Sequence, residues 1–188
     1  MLRGKKVLLR PVRRADIQYF LKWFNDLEVT QYLNMSLPMT EMAEEKFIEE
    51  LGTSRSQSTV MFVIEAIEGD SSKPIDSAQG KPIGNTGLSN ISARDHHATF
   101  GIAIGDKDYW SKGCGTEAAR LIINYGFEVL NLHRINSGAI AFNERSLRMH
   151  KSVGFKEEGR QREYIFKNGK FQDHVIFGML REEWKGLE

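Results

Sequence analysis

Apolar residues change their period repeatedly along this chain, and each change marks an element. Residues 7–12 run Val-Leu-Leu-Arg-Pro-Val, a short strand that ends near Pro11 because proline brings no N–H to a ladder. From 15 to 26 the spacing becomes helical, with Ile17, Phe20, Leu21 and Phe24 on one stripe. Thr40 is a good N-cap for a second helix that carries Phe47, Ile48 and Leu51 and stops at Gly52. Residues 60–67, rich in β-branched and aromatic side chains, and residues 81–89 read as two strands. Between them the polar run at 68–80 reads as a long flexible hairpin loop, too polar to pack.

The strand at 97–104, His-Ala-Thr-Phe-Gly-Ile-Ala-Ile, alternates cleanly. Ala98, Phe100, Ile102 and Ile104 share an apolar face, leaving His97, Thr99, Gly101 and Ala103 on the other. The small residues of that second face leave room beside the backbone either for a ligand or for a closely packed helix. Next, Tyr109-Trp110-Ser111-Lys112-Gly113-Cys114-Gly115-Thr116 runs straight into a helix whose stripe is Ala118, Leu121, Ile122, Tyr125 and Val129. A Gly-x-Gly turn there points main-chain N–H groups outward at the positive end of the helix dipole, an anion site that suits phosphate. An ordinary tight turn uses the same residues. Residues 134–141 form a strand, and Asn143 caps a short helix that ends before Gly154. The final strands, 155–166 and 171–180, flank Lys167-Asn168-Gly169-Lys170, a strong hairpin signal that pairs Phe166 with Phe171.

Strand, two helices, three strands, helix, strand, helix, two strands is an α/β (α+β) layout. The 188 residues, 40% apolar, suit a single domain over 1–188 with 68–81 as its flexible loop. Charged residues make up 27% and nearly cancel at +1, so the overall basic footprint of a nucleic-acid binder is missing. The lone cysteine, Cys114, excludes an intramolecular disulfide and a multi-cysteine metal site, and no metal is expected. Neither a signal peptide nor a bilayer-spanning segment is read, which makes a cytoplasmic location without a membrane partner the expectation. Glu41, Glu44 and Glu45 of the second helix either attract a cationic substrate or form a solvated face.

In this order the motifs resemble the GCN5-related N-acetyltransferases (GNAT family), and more narrowly the subgroup that acetylates the N-termini of ribosomal proteins. The resemblance rests on Tyr109-Trp110, Ser111-Lys112-Gly113-Cys114-Gly115-Thr116, Ala141-Phe142-Asn143-Glu144-Arg145-Ser146 and His150-Lys151-Ser152-Val153-Gly154-Phe155. Leu9-Arg10-Pro11 and Phe24-Asn25-Asp26 add to it, so nearly the whole chain is covered. One departure is that Ser111, or the neighbouring Lys112, stands where the family's loop begins with Arg or Gln. The resemblance implies transfer of the acetyl group of acetyl-CoA to a primary amine by direct attack. Acceptors of that kind are a protein N-terminal α-amine or a small amine such as a polyamine, amino sugar or aminoglycoside, and a homodimer is compatible with it. It further implies a sheet of mostly antiparallel strands, splayed at a bulged central strand, with helices on both faces.

Carried onto this sequence, the backbone of Lys112, Gly113, Cys114, Gly115 and Thr116 would hold the CoA pyrophosphate. Ile102, Ala103 and Ile104 would line the pantetheine, with Asn143 and Ser146 beside it. The Ile102 N–H would stabilise the oxyanion. His150 stands where many members have a Tyr that protonates the leaving thiolate, and an imidazolium is able to do so. Thr99 replaces a common Glu, so His97, on the same strand face, is the candidate base, acting through water. Catalysis by proximity alone is the alternative. Cys114 as a covalent nucleophile is disfavoured because no base neighbours it in sequence, and Trp110 is expected to pack under the loop. Two other function classes remain: a noncatalytic acyl-CoA-binding regulator, and a nucleotide-binding module, the latter lacking the Gly-Lys-Ser/Thr ending of a P-loop.

Overall fold

Val7 and Leu9 face one side of their strand and Leu8 and Arg10 the other, and all four are buried, so this strand is covered on both faces. The computed structural model describes residues 1–35, 38–53, 58–67 and 80–187, and the run at 68–79 lies outside them. The strands are β1 (Leu2–Arg3), β2 (Val7–Pro11), β3 (Val60–Ala66), β4 (Lys81–Ser92), β5 (His97–Ile104), β6 (Arg134–Ile140), β7 (Lys156–Lys167) and β8 (Lys170–Leu180). The helices are α1 (Ile17–Phe24), α2 (Leu27–Thr30), α3 (Glu41–Thr53), α4 (Cys114–Glu128) and α5 (Glu144–Val153). One sheet carries the strands in the order β1-β2-β3-β4-β5-β6-β8-β7. Every neighbouring pair is antiparallel except β5 and β6.

Most of this follows the apolar periodicity, and the departures have local causes. The helix read from 15 to 26 ends at Phe24, and Asp26 caps a separate short turn, its side chain accepting from the Glu28 N–H at 2.8 Å. Thr40 does cap α3, its Oγ accepting from the Ala43 N–H. Helix α4 starts at Cys114, earlier than its apolar stripe suggests, because Gly113 at φ 86° turns the chain directly into it. Phe166 pairs with Phe171 across the Asn168-Gly169 turn, rings 5.2 Å apart.

Two apolar clusters sandwich the sheet. Beneath α4 and α5 lie Ile64, Ile83, Phe100, Ile122, Phe127 and Phe177, among others, with Phe127 and Phe177 fully buried. Each such side chain contributes roughly 1.5–3 kcal/mol. On the opposite face Phe20, Trp23 and Phe24 of α1 pack on Val63. Buried Arg10 joins β2 to this side, meeting both carboxylate oxygens of Asp16 at 2.7 Å and Glu65 at 2.5 Å. Burial works against its charge, but those hydrogen bonds outweigh it and hold the guanidinium firmly protonated.

The sheet opens at its parallel pair. β5 and β6 are in register only from His97 with Arg134 to Thr99 with Asn136. Beyond that the two strands diverge, while β5 stays paired with β4 out to Ile104. The irregularity in the β4–β5 pairing falls between Ser89 and Ser92, where Asn90 has φ 51°, at the closed end rather than at the opening.

Candidate active site

Where the strands part, a cleft of about 860 Å³ runs through the sheet, from the N-terminus of α4 to the face covered by α1 and α2. Its first wall is the backbone of β5. Ser137 Oγ lies 3.1 Å from the Phe100 carbonyl and the Trp110 indole N–H donates to the Ile104 carbonyl at 2.7 Å, so both carbonyls point toward the opening. Gly101 turns its carbonyl to Thr86 of β4 instead. By the two-residue alternation of a strand, the N–H and C=O of Ile102 then face the gap left by β6. Ala103 does not: its carbonyl lies so close to Gly84 of β4 that a side chain there would collide with it. A side chain on Gly101 would meet nothing within 4 Å, so the small face of this strand borders open space at Gly101, while Ala103 packs against the α1 cluster.

The second wall is the turn before α4. Ser111 at φ 59° and Gly113 at φ 86° fold it back, and no side chain caps the helix. Glu117 N–H is the first to bond within the helix, to the Gly113 carbonyl at 3.0 Å, which leaves the N–H groups of Cys114, Gly115 and Thr116 without helical acceptors. Gly115 lies inside the helix, where a Cβ would make only ordinary contact with Ile104 at 3.5 Å. Glu117 places a carboxylate near this positive end, yet it is spoken for. It accepts from the backbone N–H groups of Lys5, Lys6 and Val7 at 3.0, 2.7 and 2.9 Å. Lys6 in turn donates its ammonium to the Lys112 carbonyl at 2.8 Å, adding a positive charge to the loop. Cys114 is buried, and burial raises its thiol pKa, which suits a packing role.

Trp110 packs differently from expectation, because its ring lines the cleft. The Arg145 guanidinium lies 4.0 Å over it and 4.9 Å from the Tyr32 ring, joining the turn before α4 to the segment after α2. Asn143 caps α5, its Oδ1 accepting from the Ser146 N–H at 3.1 Å.

His150 and His174 flank β6 on opposite faces. His150 is 2% exposed, stacked 4.5 Å from Phe177 and edge-on to Phe100 and Phe155. Its Nδ1 lies 2.8 Å from the Ser146 carbonyl, which only accepts, so Nδ1 carries the proton. Burial, partly offset by that bond, lowers its pKa, and the neutral ring leaves Nε2 as an acceptor 2.8 Å from Ser137 Oγ. In this form Nε2 has no proton to give a thiolate. His174, half-buried on β8, lies across Gly138 on the other face. Its Nδ1 is 3.2 Å from Gln161 Oε1, its ring stacks on Tyr164 at 5.7 Å, and burial lowers its pKa.

Of the residues read from the sequence, the cleft gathers Ile102, Ala103, Ile104, Gly113, Gly115, Thr116, Asn143, Ser146 and His150. His97 stays out of it, since it sits in the paired end of β5, about 13 Å of extended strand from Gly101. The reading missed Ser137, Arg145 and His174. A polar residue at the inward position of β6 and a glycine within the same strand were the available signals. Among the described residues no Asp or Glu lines the cleft, and no group of three or more His, Cys, Asp or Glu side chains is placed to hold a metal. No helix among them is long and apolar enough to cross a membrane.

Residues 6–156 match the family model described as an acetyltransferase (GNAT) domain. The chain is 30% identical over 182 residues to the spermidine N(1)-acetyltransferase of Escherichia coli (strain K12), covering 95% of this chain and 88% of that protein. Among solved structures it is similar to the spermidine N-acetyltransferase from Vibrio cholerae in complex with CoA and spermine, at a TM-score of 0.83 and 23% identity over 96% of this chain and 98% of that one. It is also similar to the ribosomal-protein-S5-alanine acetyltransferase from Vibrio fischeri, at a TM-score of 0.79 and 23% identity over 97% of each chain.

Proposed function

The chain belongs to the GNAT acetyltransferase family and is an acetyl-CoA-dependent N-acetyltransferase, and from that premise we propose that its acceptor is an amine of low basicity, foremost a protein N-terminal α-amine. The observation that carries this reading is the absence of carboxylates from the cleft lining among the described residues. A polyamine would enter a cleft whose charged side chains are Arg145 and Arg148, with no counter-ion of its own. It would also need a strong base, because an amine of pKa about 10.4 is only about 0.1% neutral at pH 7.5, against about 30% for an α-amine of pKa about 7.8. The acceptor end, lined by Phe24, Val29, Leu33, Met35, Phe47 and Met61, suits an apolar or uncharged body behind the amine. Lys167 of the hairpin donates to the carbonyls of Thr30 and Met35 and ties this wall in place.

The cofactor side fits the chain's own groups. The free N–H groups of Cys114, Gly115 and Thr116, with Lys6 behind them, would hold the pyrophosphate, and Arg145 would add a counter-charge. The backbone of Ile102 and Ile104 would pair with the pantetheine amides, with Asn143 and Ser146 beside it. The Ile102 N–H would receive the oxyanion. The Ser137 hydroxyl lines the same cleft and would turn its single proton from His150 Nε2 to the leaving sulfur. A CoA thiolate, like a cysteine of pKa about 8.5, needs little more than that hydrogen bond. We read residues 1–188 as one such domain.

A polyamine acceptor is the second reading, favoured by the spermidine-acetylating relative and by the carboxylates of α3, which stand outside the lining. A panel of short peptides with free N-termini, run against spermidine with thiol release as the readout, separates the two. Peptide turnover with little spermidine turnover is expected, and the reverse preference overturns the proposal.

A further inference from the structure

The strand β6 presents Ser137 to the cofactor face and Gly138 to the acceptor face, and it is on the acceptor face that the cleft holds an imidazole with a nitrogen to spare. His174 Nδ1 faces Gln161 Oε1 at 3.2 Å, so Nδ1 carries the proton and Nε2 keeps its lone pair. Nε2 and Cε1 lie directly over Gly138, in space that any side chain at 138 would fill. Among the described residues Nε2 has no hydrogen-bond partner, and it is not sealed from solvent. Gly138 lies next in the chain to Ser137, whose hydroxyl touches the Phe100 carbonyl at the point where the splay opens. The free nitrogen therefore borders the same cleft as Ser137 and the open backbone of Ile102.

We infer that His174 is the general base of this enzyme, taking the proton from the acceptor nitrogen as the amide forms. The proposal rests on the α-amine reading, which supplies a neutral nucleophile without prior help. The amine nitrogen attacks the thioester carbonyl carbon, and the C=O electron pair moves onto the oxygen that the Ile102 N–H would hold. The new C–N bond leaves a positively charged nitrogen, far more acidic than the free ammonium, and His174 Nε2 takes its proton. The C=O reforms, the C–S bond breaks and the thiolate leaves. The imidazolium then gives its proton to solvent and the thiolate gains one, so the enzyme is unchanged. A weak base suffices because the proton moves only after attack.

The surroundings of His174 suit this role. Burial alone lowers its pKa, which keeps the ring neutral near pH 7. From β7 it meets the Tyr164 ring and Gln161, and from β6 Gly138. On its own strand the neighbouring Asp173 is paired with Arg160 at 3.4 Å. The β7 pairing shifts register between Gln161 and Ile165, with Glu163 at φ 52°, which brings Tyr164 over the imidazole.

The test is the pH profile of His174→Gln and His174→Ala with an α-amine peptide. Once the falling neutral fraction of the peptide amine below about pH 7.8 is divided out, the wild-type kcat/KM should show a further acidic limb with a midpoint below about 6.5. His174→Gln should lose that limb and about 10²-fold or more in kcat, with KM for acetyl-CoA within about twofold. Added imidazole should restore part of the His174→Ala rate, which a merely structural role would not allow. Gln161→Leu, which leaves the catalytic nitrogen in place but frees the tautomer, should cost several-fold in kcat. Unchanged kcat and an unchanged acidic limb in His174→Gln, or no imidazole rescue, would overturn the proposal. Peptide-against-spermidine preference is measured separately in the wild type. A spermidine preference with the His174 effects intact would remove the acceptor reading and leave the base standing.

Discussion

His150 of α5 and His174 of β8 flank opposite faces of β6, and the contrast between them shows what makes a histidine chemically available. His150 stands where the family resemblance leads one to expect the acid, yet aromatic rings enclose it and both of its nitrogens are engaged, by Ser146 and Ser137. His174 occupies no motif, yet it keeps one nitrogen free over a glycine at the mouth of the cleft. Burial lowers the pKa of both, so their difference lies in access rather than in charge. A motif position fixes where a side chain hangs. Whether it reaches the reacting atoms depends on what the rest of the fold places around it.

The hardest way to break this contrast is Gly138→Ala, because a methyl group there would fall on His174 Nε2 and Cε1. We expect it to displace the ring and lower kcat by about 10²-fold, while acetyl-CoA affinity, read by calorimetric titration, changes little. His150→Phe should act mainly on stability. The new ring keeps the stack on Phe177 but gives up the hydrogen bonds to the Ser146 carbonyl and Ser137, a cost of about 1–3 kcal/mol in denaturant unfolding, with kcat reduced less than tenfold.

The pH dependence of stability sharpens the same point. Because folding lowers both histidine pKa values, the unfolded chain binds more protons below about pH 6.5. Stability is therefore flat with respect to these groups above that pH and falls as the medium is acidified through it. For a fully buried histidine the slope reaches about 1.4 kcal/mol per pH unit. His150→Phe should remove the larger share of that slope, since His150 is the more deeply buried. The smallest effect belongs to the hairpin tip beyond His174, where Phe171→Ser should cost about 0.2–1 kcal/mol by losing its exposed partner Phe166.

Much of the molecule was legible in the sequence because its signals are local. Gly113 before α4, Asn143 before α5 and Asn168-Gly169 between β7 and β8 each fix the chain within a few residues, and the structure places all three as the pattern reads them. The alternation of β5 likewise marked the wall of the cleft, although Ala103 turns its carbonyl to β4, so that of residues 102–104 Ile102 and Ile104 are the two that offer backbone to the opening. What the sequence hid is non-local. Lys6 reaches the turn before α4 because Glu117 gathers the backbone N–H groups of Lys5, Lys6 and Val7 from the far end of the chain. His174 matters only because Gly138, on another strand, has no side chain to exclude it. His97 pointed the other way, as a histidine on the right strand that the pairing with Arg134 keeps in the closed part of the sheet.

The most direct measurement is the turnover of His174→Gln and His150→Phe, side by side, with one α-amine peptide at saturating acetyl-CoA. If access decides which histidine does the chemistry, His174→Gln falls at least about tenfold further in kcat than His150→Phe. A His150→Phe enzyme as impaired as His174→Gln, or more so, would contradict that and return the proton chemistry to the buried ring.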